Sequence, residues 1–584
     1  MLSFQVRHVT VTVVLLVTAL VWHSAGFAYQ PEGPSGYTEK SAVKAKKFMI
    51  AAANPLAVRA GYEILKADGS AMDAAIAAEL VLGLVEPQSS GLGGGGYLLH
   101  WDQSTQNVST YDGRSAAPAK VTAEYFLDSF GEPIGRRHTA GGRWAAVPGL
   151  VSLLEAAHKK HGKLAWKQLF EPAIRLATDG FKISPRLFKA IKRNKRIRVN
   201  KTVFAYFFNA DGEPLPEGYR LINKDYAKTL KRIADNGARA FYDGAIAAQL
   251  VKSVQSSKFD PGEITLQDLK SYRTHQRAPI CTLYRRHKIC GMGPSSTGGL
   301  TVAMILGLLE RFELAEYKAA SVEAYHLFIE ASRLAFKDRN QYVADPNYVN
   351  VPIQGLIDRD YLAKRSRLIN PEERLNAVEP GEPPQRPTKK SAIDDSVELP
   401  STTHLSVIDA DGNAVSLTAT LGRSFGSGVM IKGAGFLINS QMTNFSQRPT
   451  RDGLPVVNHA DGGKRPRSTQ SPTLVFNPDG TLRLVVGSPG GGRIINYVAK
   501  TLIAVLDWKL DVQSAISLPH VIDRRGRVEL ERNTDAVQFQ KKFEEKGHKI
   551  RIRHLTSGLH GIEITPEGLI GGADPRREGI VMGE

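Results

Sequence analysis

Cysteine is scarce in this sequence, two in 584 residues, and that scarcity excludes a fold stapled by a disulfide framework. The two that exist, Cys281 and Cys290, flank Thr282 to Ile289, a spacing that matches no zinc-binding pattern. No G-K-[ST] occurs, which excludes a P-loop nucleotide site. After Trp22 nothing is apolar over the roughly 20 residues that a membrane-spanning helix requires. Acidic residues are outnumbered, 58 against 76 basic, for a formal charge of +18. The densest basic run, Lys182 to Lys201, contains Lys189, Lys192, Arg193, Lys195, Arg196 and Arg198. No helix-turn-helix or RNA-binding signature accompanies it, and aromatics are not interleaved as stacking platforms. The run reads as a solvated helical face, and neither a nucleic-acid partner, a metal nor a cofactor is expected.

What remains is an ordinary globular composition, 42% hydrophobic and 23% charged, enough to bury a core. Residues 1–28 read as a secretory signal: Arg7 and His8 precede an apolar run from Val9 to Trp22, and Gly26-Phe27-Ala28 supplies a cleavage site. The mature protein is therefore expected to be exported, periplasmic or secreted. In that compartment a disulfide can persist. The alternating segment Thr282 to Ile289 reads as a hairpin turning at Arg285-Arg286, which sets Cys281 opposite Cys290 about 4.5 Å apart between Cα atoms. Arg-Arg is a poor turn dipeptide, so a disulfide and two unpaired buried cysteines both stay open.

Local signals then mark the elements. Asn54 and Pro55 suit the start of one helix and Gly69 its end, while Ser70 suits the cap of a second, Ala71 to Val85, apolar nearly all round. Gly91 to Gly96 breaks the chain before a strand at Tyr97 to Trp101. Amphipathic helices fill about Pro148 to Asp338; in one, Tyr325, Phe328, Ile329, Ser332 and Phe336 fall at helical spacing. From Asn370 to Pro400 prolines and charges predominate and little is there to bury, so 370–400 is expected to be a flexible linker or tail. It divides residues 29–401 from residues 402–584. Beyond it, Thr402 to Ala410 and Asn413 to Leu421 alternate around Asp411-Gly412, a hairpin signal. That turn sets Thr420 opposite Thr403, within one residue, and so beside Thr402. Farther on, a strand at Leu482 to Val486 runs through Gly487-Ser488-Pro489-Gly490-Gly491-Gly492-Arg493 into a helix expected over Ile494 to Trp508.

The chemistry concentrates at Thr402. If the bond from Ser401 to Thr402 is cut, the new α-amine lies within reach of the Thr402 hydroxyl and serves as its general base. An interior threonine has no such base. His404 projects from the same strand face, but two residues away it reads as a packed histidine rather than a base. Gly422-Arg423-Ser424-Phe425-Gly426 fits G-x-S-x-G, yet Gly426, Gly428, Gly433 and Gly435 interrupt the next residues, and Phe436-Leu437-Ile438 reads as a strand. The helix that a nucleophile elbow demands is thus lacking. The clusters at Gly91 and Gly487 do not meet the full dinucleotide pattern; the latter suits an oxyanion hole, whose N–H donors face a developing charge.

The stretch from Thr402 to Ser446 resembles the γ-glutamyltransferases, or glutathione hydrolases, in its T-T-H opening, D-x-D-G-N turn, F-G-S-G and L-I-N-S-Q-M. The likeness extends in order through Asp73-Ala74-Ala75, Gly93 to Gly96, Asp112 to Ala119, Val147-Pro148-Gly149, Pro294-Ser295-Ser296, Lys464-Arg465-Pro466 and the Gly487 loop. It implies an α+β fold, the four-layered αββα sandwich of N-terminal-nucleophile hydrolases, with an additional helical part in the large subunit. It also implies self-cleavage between Ser401 and Thr402 into large and small subunits that stay together as a heterodimer. The expected donors are glutathione or other γ-glutamyl compounds, and the acceptors water, amino acids or peptides. By resemblance Thr402 is the nucleophile, Thr420 its hydrogen-bond partner, and Gly490 and Gly491 the oxyanion-hole glycines. Arg114, Ser468 and Thr469 match the groups that hold the substrate's α-carboxylate. The positions that usually meet its α-ammonium read Gly422, Gln441 and Asn444, and the anionic member is missing. Losing a charge-assisted contact costs about 1.5–3 kcal/mol, which points to a glutaryl-type amidase as the alternative. A non-catalytic binding protein on the same fold is the third reading. The region from Ser446 to Lys464, where relatives carry a lid, is short, which leaves an open pocket.

Overall fold

A computed structural model describes residues 33, 35–135 and 140–584 of the chain. The expected signal at 1–28 lies outside the described residues. No helix among the described residues is long and apolar enough to cross a membrane.

The helical caps form where the sequence puts them. In α1 (Pro55–Lys66) the Asn54 side chain accepts from the Leu56 N–H at 2.9 Å. α2 (Ala71–Val85) opens on a reciprocal pair: Ser70 Oγ accepts from the Asp73 N–H, and Asp73 Oδ2 from the Ser70 N–H. These bonds satisfy N–H groups that a helix start otherwise leaves unpaired. α2 is buried on nearly every side, as its apolar circumference demands.

Fourteen strands build two seven-stranded sheets. In chain order they are β1 (Val43–Ala45), β2 (Met49–Ala52), β3 (Gly95–Asp102), β4 (Asn107–Gly113) and β5 (His275–Gln276). β6 (Ile280–Tyr284), β7 (His287–Gly291), β8 (Thr402–Ile408), β9 (Ala414–Thr420) and β10 (Thr473–Phe476) come next. The last are β11 (Leu482–Gly487), β12 (His560–Thr565), β13 (Gly568–Ala573) and β14 (Ile580–Gly583). The first sheet runs β14-β2-β8-β9-β3-β4-β5 and the second β1-β13-β12-β11-β10-β7-β6.

Alternation decides what each face meets. Leu405 and Val407 of β8, with Val415 and Leu417 of β9, join the apolar cluster of α1 and α2. The opposite face points toward the second sheet, where Met49, Leu99, Trp101 and Ile408 pack on Leu474, Phe476, Val485 and Ile562. Two hydroxyls caught there are bonded to backbone: Ser406 Oγ donates to the His560 carbonyl and Ser416 Oγ accepts from the Thr473 N–H. The far side of the second sheet is covered by α3 (Gly298–Leu309), α4 (Val322–Tyr342) and α5 (Ile494–Leu506).

Several local expectations change in detail. Cys281 does pair with Cys290, with Cα atoms 4.1 Å apart, and the two form a disulfide. Arg285 and Arg286 both adopt positive φ, +48° and +68°, as a two-residue hairpin turn requires. Asp507 anchors Arg285 at 2.9 Å, which offsets the poor turn propensity. The β8–β9 turn has three residues, not two: Asp409 donates its N–H to Asn413 across Ala410, Asp411 and Gly412, with Gly412 at φ +83°. That extra residue moves the register by one, so Thr402 faces Thr420. Phe436 to Ile438 is not a strand; Leu437 and Ile438 make only isolated bridges, to Met430 and Gly93. Residues 370–400 carry no helix or strand, yet Asp394, Glu398 and Leu399 are buried, so this stretch has more to bury than its composition suggested. The 446–464 region forms a small hairpin (Thr450–Arg451 with Leu454–Pro455) against that stretch, Arg451 meeting Asp395 at 2.8 Å.

Candidate active site

Thr402 is the first residue of β8 and sits on the face between the sheets. Its Oγ1 donates to Thr420 Oγ1 at 3.1 Å, and both residues are buried. Thr420 Oγ1 in turn donates to the Ser401 carbonyl oxygen and accepts from the Gly422 N–H at 2.9 Å. The Gln441 amide holds the Thr420 carbonyl at 2.8 Å. A hydroxyl relay thus ends on the carbonyl immediately before Thr402. Ser401 itself has φ +156°, a conformation that L-residues rarely adopt, so the backbone is strained at the residue before Thr402. His404 bonds to Thr418 and Ser406 rather than Thr402, and burial pushes its pKa well below the usual histidine range. It is a packed neutral ring. No helix follows Ser424, in keeping with the rejection of an elbow hydrolase.

Arg114 follows the end of β4. Asp112 fixes its position by accepting the Arg114 N–H at 2.9 Å, and is itself gripped by Arg465 at 2.6 Å and Arg277 at 2.8 Å. Burial would raise the Asp112 pKa, but these guanidiniums outweigh it and keep the carboxyl below its ordinary value. The Arg114 side chain donates to Asn444 Oδ1 at 3.0 Å and to the Pro466 and Arg467 carbonyls. Ser468 follows directly, and Thr469 Oγ1 donates to the Gly491 carbonyl at 2.9 Å. Gly490 and Gly491 have φ +140° and +59°. A Cβ on Gly491 would stand 2.7 Å from the backbone of Leu399 and Pro400. Only glycine lets this loop press so closely on the segment that leads to Thr402.

Arg114, Thr402, Thr420, Gly422, Asn444, Ser468, Thr469 and Gly491 all line one small cavity. Gln441 reaches it through Thr420, and Gly490 through its neighbour. Residues far apart in sequence therefore converge. Sequence reasoning missed Glu398, which lines the same cavity, and the two arginines that hold it, Arg339 and Arg467. Burial pushes the Glu398 pKa up, but Arg339 and Arg467 prevail and bring it down to about 2. The only trace of this in the sequence was a set of acids, Asp394, Asp395 and Glu398, among the prolines.

His326, Glu330 and His548 form a buried cluster with ligand atoms within 4.8 Å of one another. Their groups are already bonded: His326 to His548 and to the Asn370 carbonyl, both at 2.8 Å, and Glu330 to Arg333 at 2.7 Å. The cluster ties the start of the 370–400 stretch to α4.

Comparison with known proteins points the same way. The chain matches the family described as gamma-glutamyltranspeptidase over residues 57–584. It is 35% identical to the glutathione hydrolase proenzyme of Escherichia coli (strain K12), covering 91% of each chain. It is 32% identical to the acylase ACY 1 proenzyme of Pseudomonas sp. (strain SE83), covering 92% of this chain and 93% of that one. Among solved structures it resembles cephalosporin acylase from Bacillus halodurans with a TM-score of 0.83 at 28% identity, over 95% of this chain and 99% of that one.

Proposed function

The chain belongs to the gamma-glutamyltranspeptidase family, and on that premise we propose that it is a proenzyme that cuts itself before Thr402 and then transfers γ-glutamyl groups from amides such as glutathione to water, amino acids or peptides. The two sheets and their covering helices are then the four-layered αββα sandwich of N-terminal-nucleophile hydrolases, with the extra helices in the large subunit. The observation that carries the reading is the relay from Thr402 Oγ1 through Thr420 Oγ1 to the Ser401 carbonyl.

In the uncut chain the Thr402 nitrogen is an amide and cannot accept a proton. Its hydroxyl attacks the Ser401 carbonyl carbon, and the Thr420 hydroxyl supports the charge that develops on oxygen. The C–N bond breaks, the nitrogen leaves as an amine carrying the proton given up by the hydroxyl, and water hydrolyses the resulting ester to a Ser401 carboxylate and a free Thr402 hydroxyl. The freed α-amine then takes the proton of Thr402 Oγ1 during turnover. Arg114 with Ser468 and Thr469 holds the donor's carboxylate through charge-assisted bonds, and Gly490 and Gly491 supply N–H donors to the tetrahedral oxyanion. The acyl-enzyme passes its acyl group to water or an acceptor amine. Export to the periplasm or medium belongs to the same reading.

A second reading, a glutaryl-type amidase, is favoured by Asn444 and Gly422. Asn444 Oδ1 is occupied by Arg114, and Gly422 offers no side chain, so neither position offers a carboxylate to an α-ammonium. Intact mass and N-terminal sequencing of the purified protein test the cut. Relative turnover of γ-glutamyl and glutaryl anilides separates the two donors. An uncut chain that turns over substrate sinks both readings, and cut protein that releases no amine from either favours a binding protein.

A further inference from the structure

We propose that Arg339 and Arg467 form a second anion subsite of the cut enzyme, which takes an additional carboxylate on the acyl side of the scissile amide. The proposal rests on cleavage before Thr402.

In the uncut chain Arg467 is fully buried. Its side chain meets Asp394 at 2.9 Å, Ser396 at 3.3 Å and Glu398 at 3.5 Å. All three lie in the segment that leads into the cut. Its Nη1 has no hydrogen-bond partner among the described residues, and its Nε meets only Glu398, at the 3.5 Å of an ion pair rather than in a hydrogen bond. Arg339, also buried, binds Glu398 as well, and its other side-chain hydrogen bonds go to the neutral Thr297 and Asn340 at 3.0 and 2.9 Å. Both counter-anions of this pair therefore belong to residues 394–398.

That segment is the acyl side of the self-cleavage reaction, because the attacked carbonyl is Ser401's. A donor's acyl group must take its place beside Thr402. When the segment withdraws, the two guanidiniums lose both their carboxylates, and the vacated position offers an incoming anion charge-assisted hydrogen bonds from two arginines. Glu398 lines the same cavity as Thr402 and Arg114, so one ligand can span both positions. Arg114 takes the carboxylate expected of a γ-glutamyl donor, and the Arg339–Arg467 pair takes a further one. Since no acid stands at Asn444 to hold an α-ammonium, the extension is best attached through an acylated α-nitrogen.

The test uses cut wild-type protein, verified by mass, with N-succinyl- and N-acetyl-γ-glutamyl-p-nitroanilide. The two probes differ chiefly by one carboxylate. The succinyl donor is expected to show at least about tenfold higher kcat/KM, mostly through KM. Arg467→Leu should bring the ratio close to one, and Arg467→Lys should keep part of it. Equal wild-type values overturn the proposal, as does a succinyl preference that survives in both Arg467→Leu and Arg339→Leu. If the leucine variants fail to cut, the wild-type ratio alone decides. Turnover of γ-glutamyl or glutaryl anilide without succinyl preference sinks only this inference; a chain that neither cuts nor turns over any anilide sinks the proposed function with it.

Discussion

The two sides of Thr402 are held by different forces. C-terminal to it runs a seven-residue strand in register with β9 from Thr402–Thr420 to Ile408–Ala414. N-terminal to it, residues 370–401 carry no helix or strand and are anchored by ion pairs such as Arg467–Asp394 and Arg339–Glu398. Backbone pairing fixes Thr402, the proposed nucleophile, and would be untouched by a cut. The cover is held by ion pairs beside a few isolated backbone bonds such as Ala392 to Pro455 and Asp394 to Asn340, and the ion pairs can be exchanged for another anion. The proposed attacking group is thus placed by a strand ladder, while the space in front of it is filled by a segment that has none.

The comparison breaks most sharply at Thr402 itself. Thr402→Ala should leave the chain uncut and lower anilide turnover at least about a thousandfold, checked by intact mass and by rate; a normally cut variant would remove Thr402 from the mechanism. Next in size, Thr420→Val keeps the strand but deletes the relay. Self-cutting should slow about a hundredfold, measured as a time course of the precursor band. An unchanged rate would mean that the ladder alone suffices. Arg114→Lys should cut normally and raise KM for γ-glutamyl anilide about tenfold or more, since an ammonium cannot reproduce the guanidinium fork.

The smallest effect sharpens the charged side. Because the folded Glu398 pKa is depressed from 4.5 to about 2, its stabilising contribution is complete above 4.5 and is lost as pH falls toward about 2. In the uncut Thr402→Ala background, melting should separate Glu398 from Glu398→Gln at pH 7 and bring them closer at pH 3. A gap that stays constant with pH would mean that the ion pair does not hold the segment.

Features written in neighbouring residues were legible from sequence. Asn54 and Ser70 cap helices by bonds only two or three residues long, and the hairpin after Thr402 announces itself by alternation and Asp411-Gly412. The same turn shows the limit: one more turn residue moves every pair, which neither propensity nor alternation specifies. Arg285-Arg286 turns in spite of its composition because the distant Asp507 holds it. Resemblance named the residues gathered around Thr402, but Glu398, Arg339 and Arg467 matched no motif. Their association spans 59 residues between Arg339 and Glu398, and such a contact leaves no local period to read.

The order of the first sheet carries a last consequence. Strands from before residue 402 (β2, β3, β4, β5) are interleaved with strands from after it (β8, β9, β14). Each fragment of a cut molecule would lack neighbours that only the other provides. Such a nicked protein should melt as one cooperative body, yet its recovery after denaturation would become a bimolecular encounter that slows on dilution, whereas the intact precursor could refold alone.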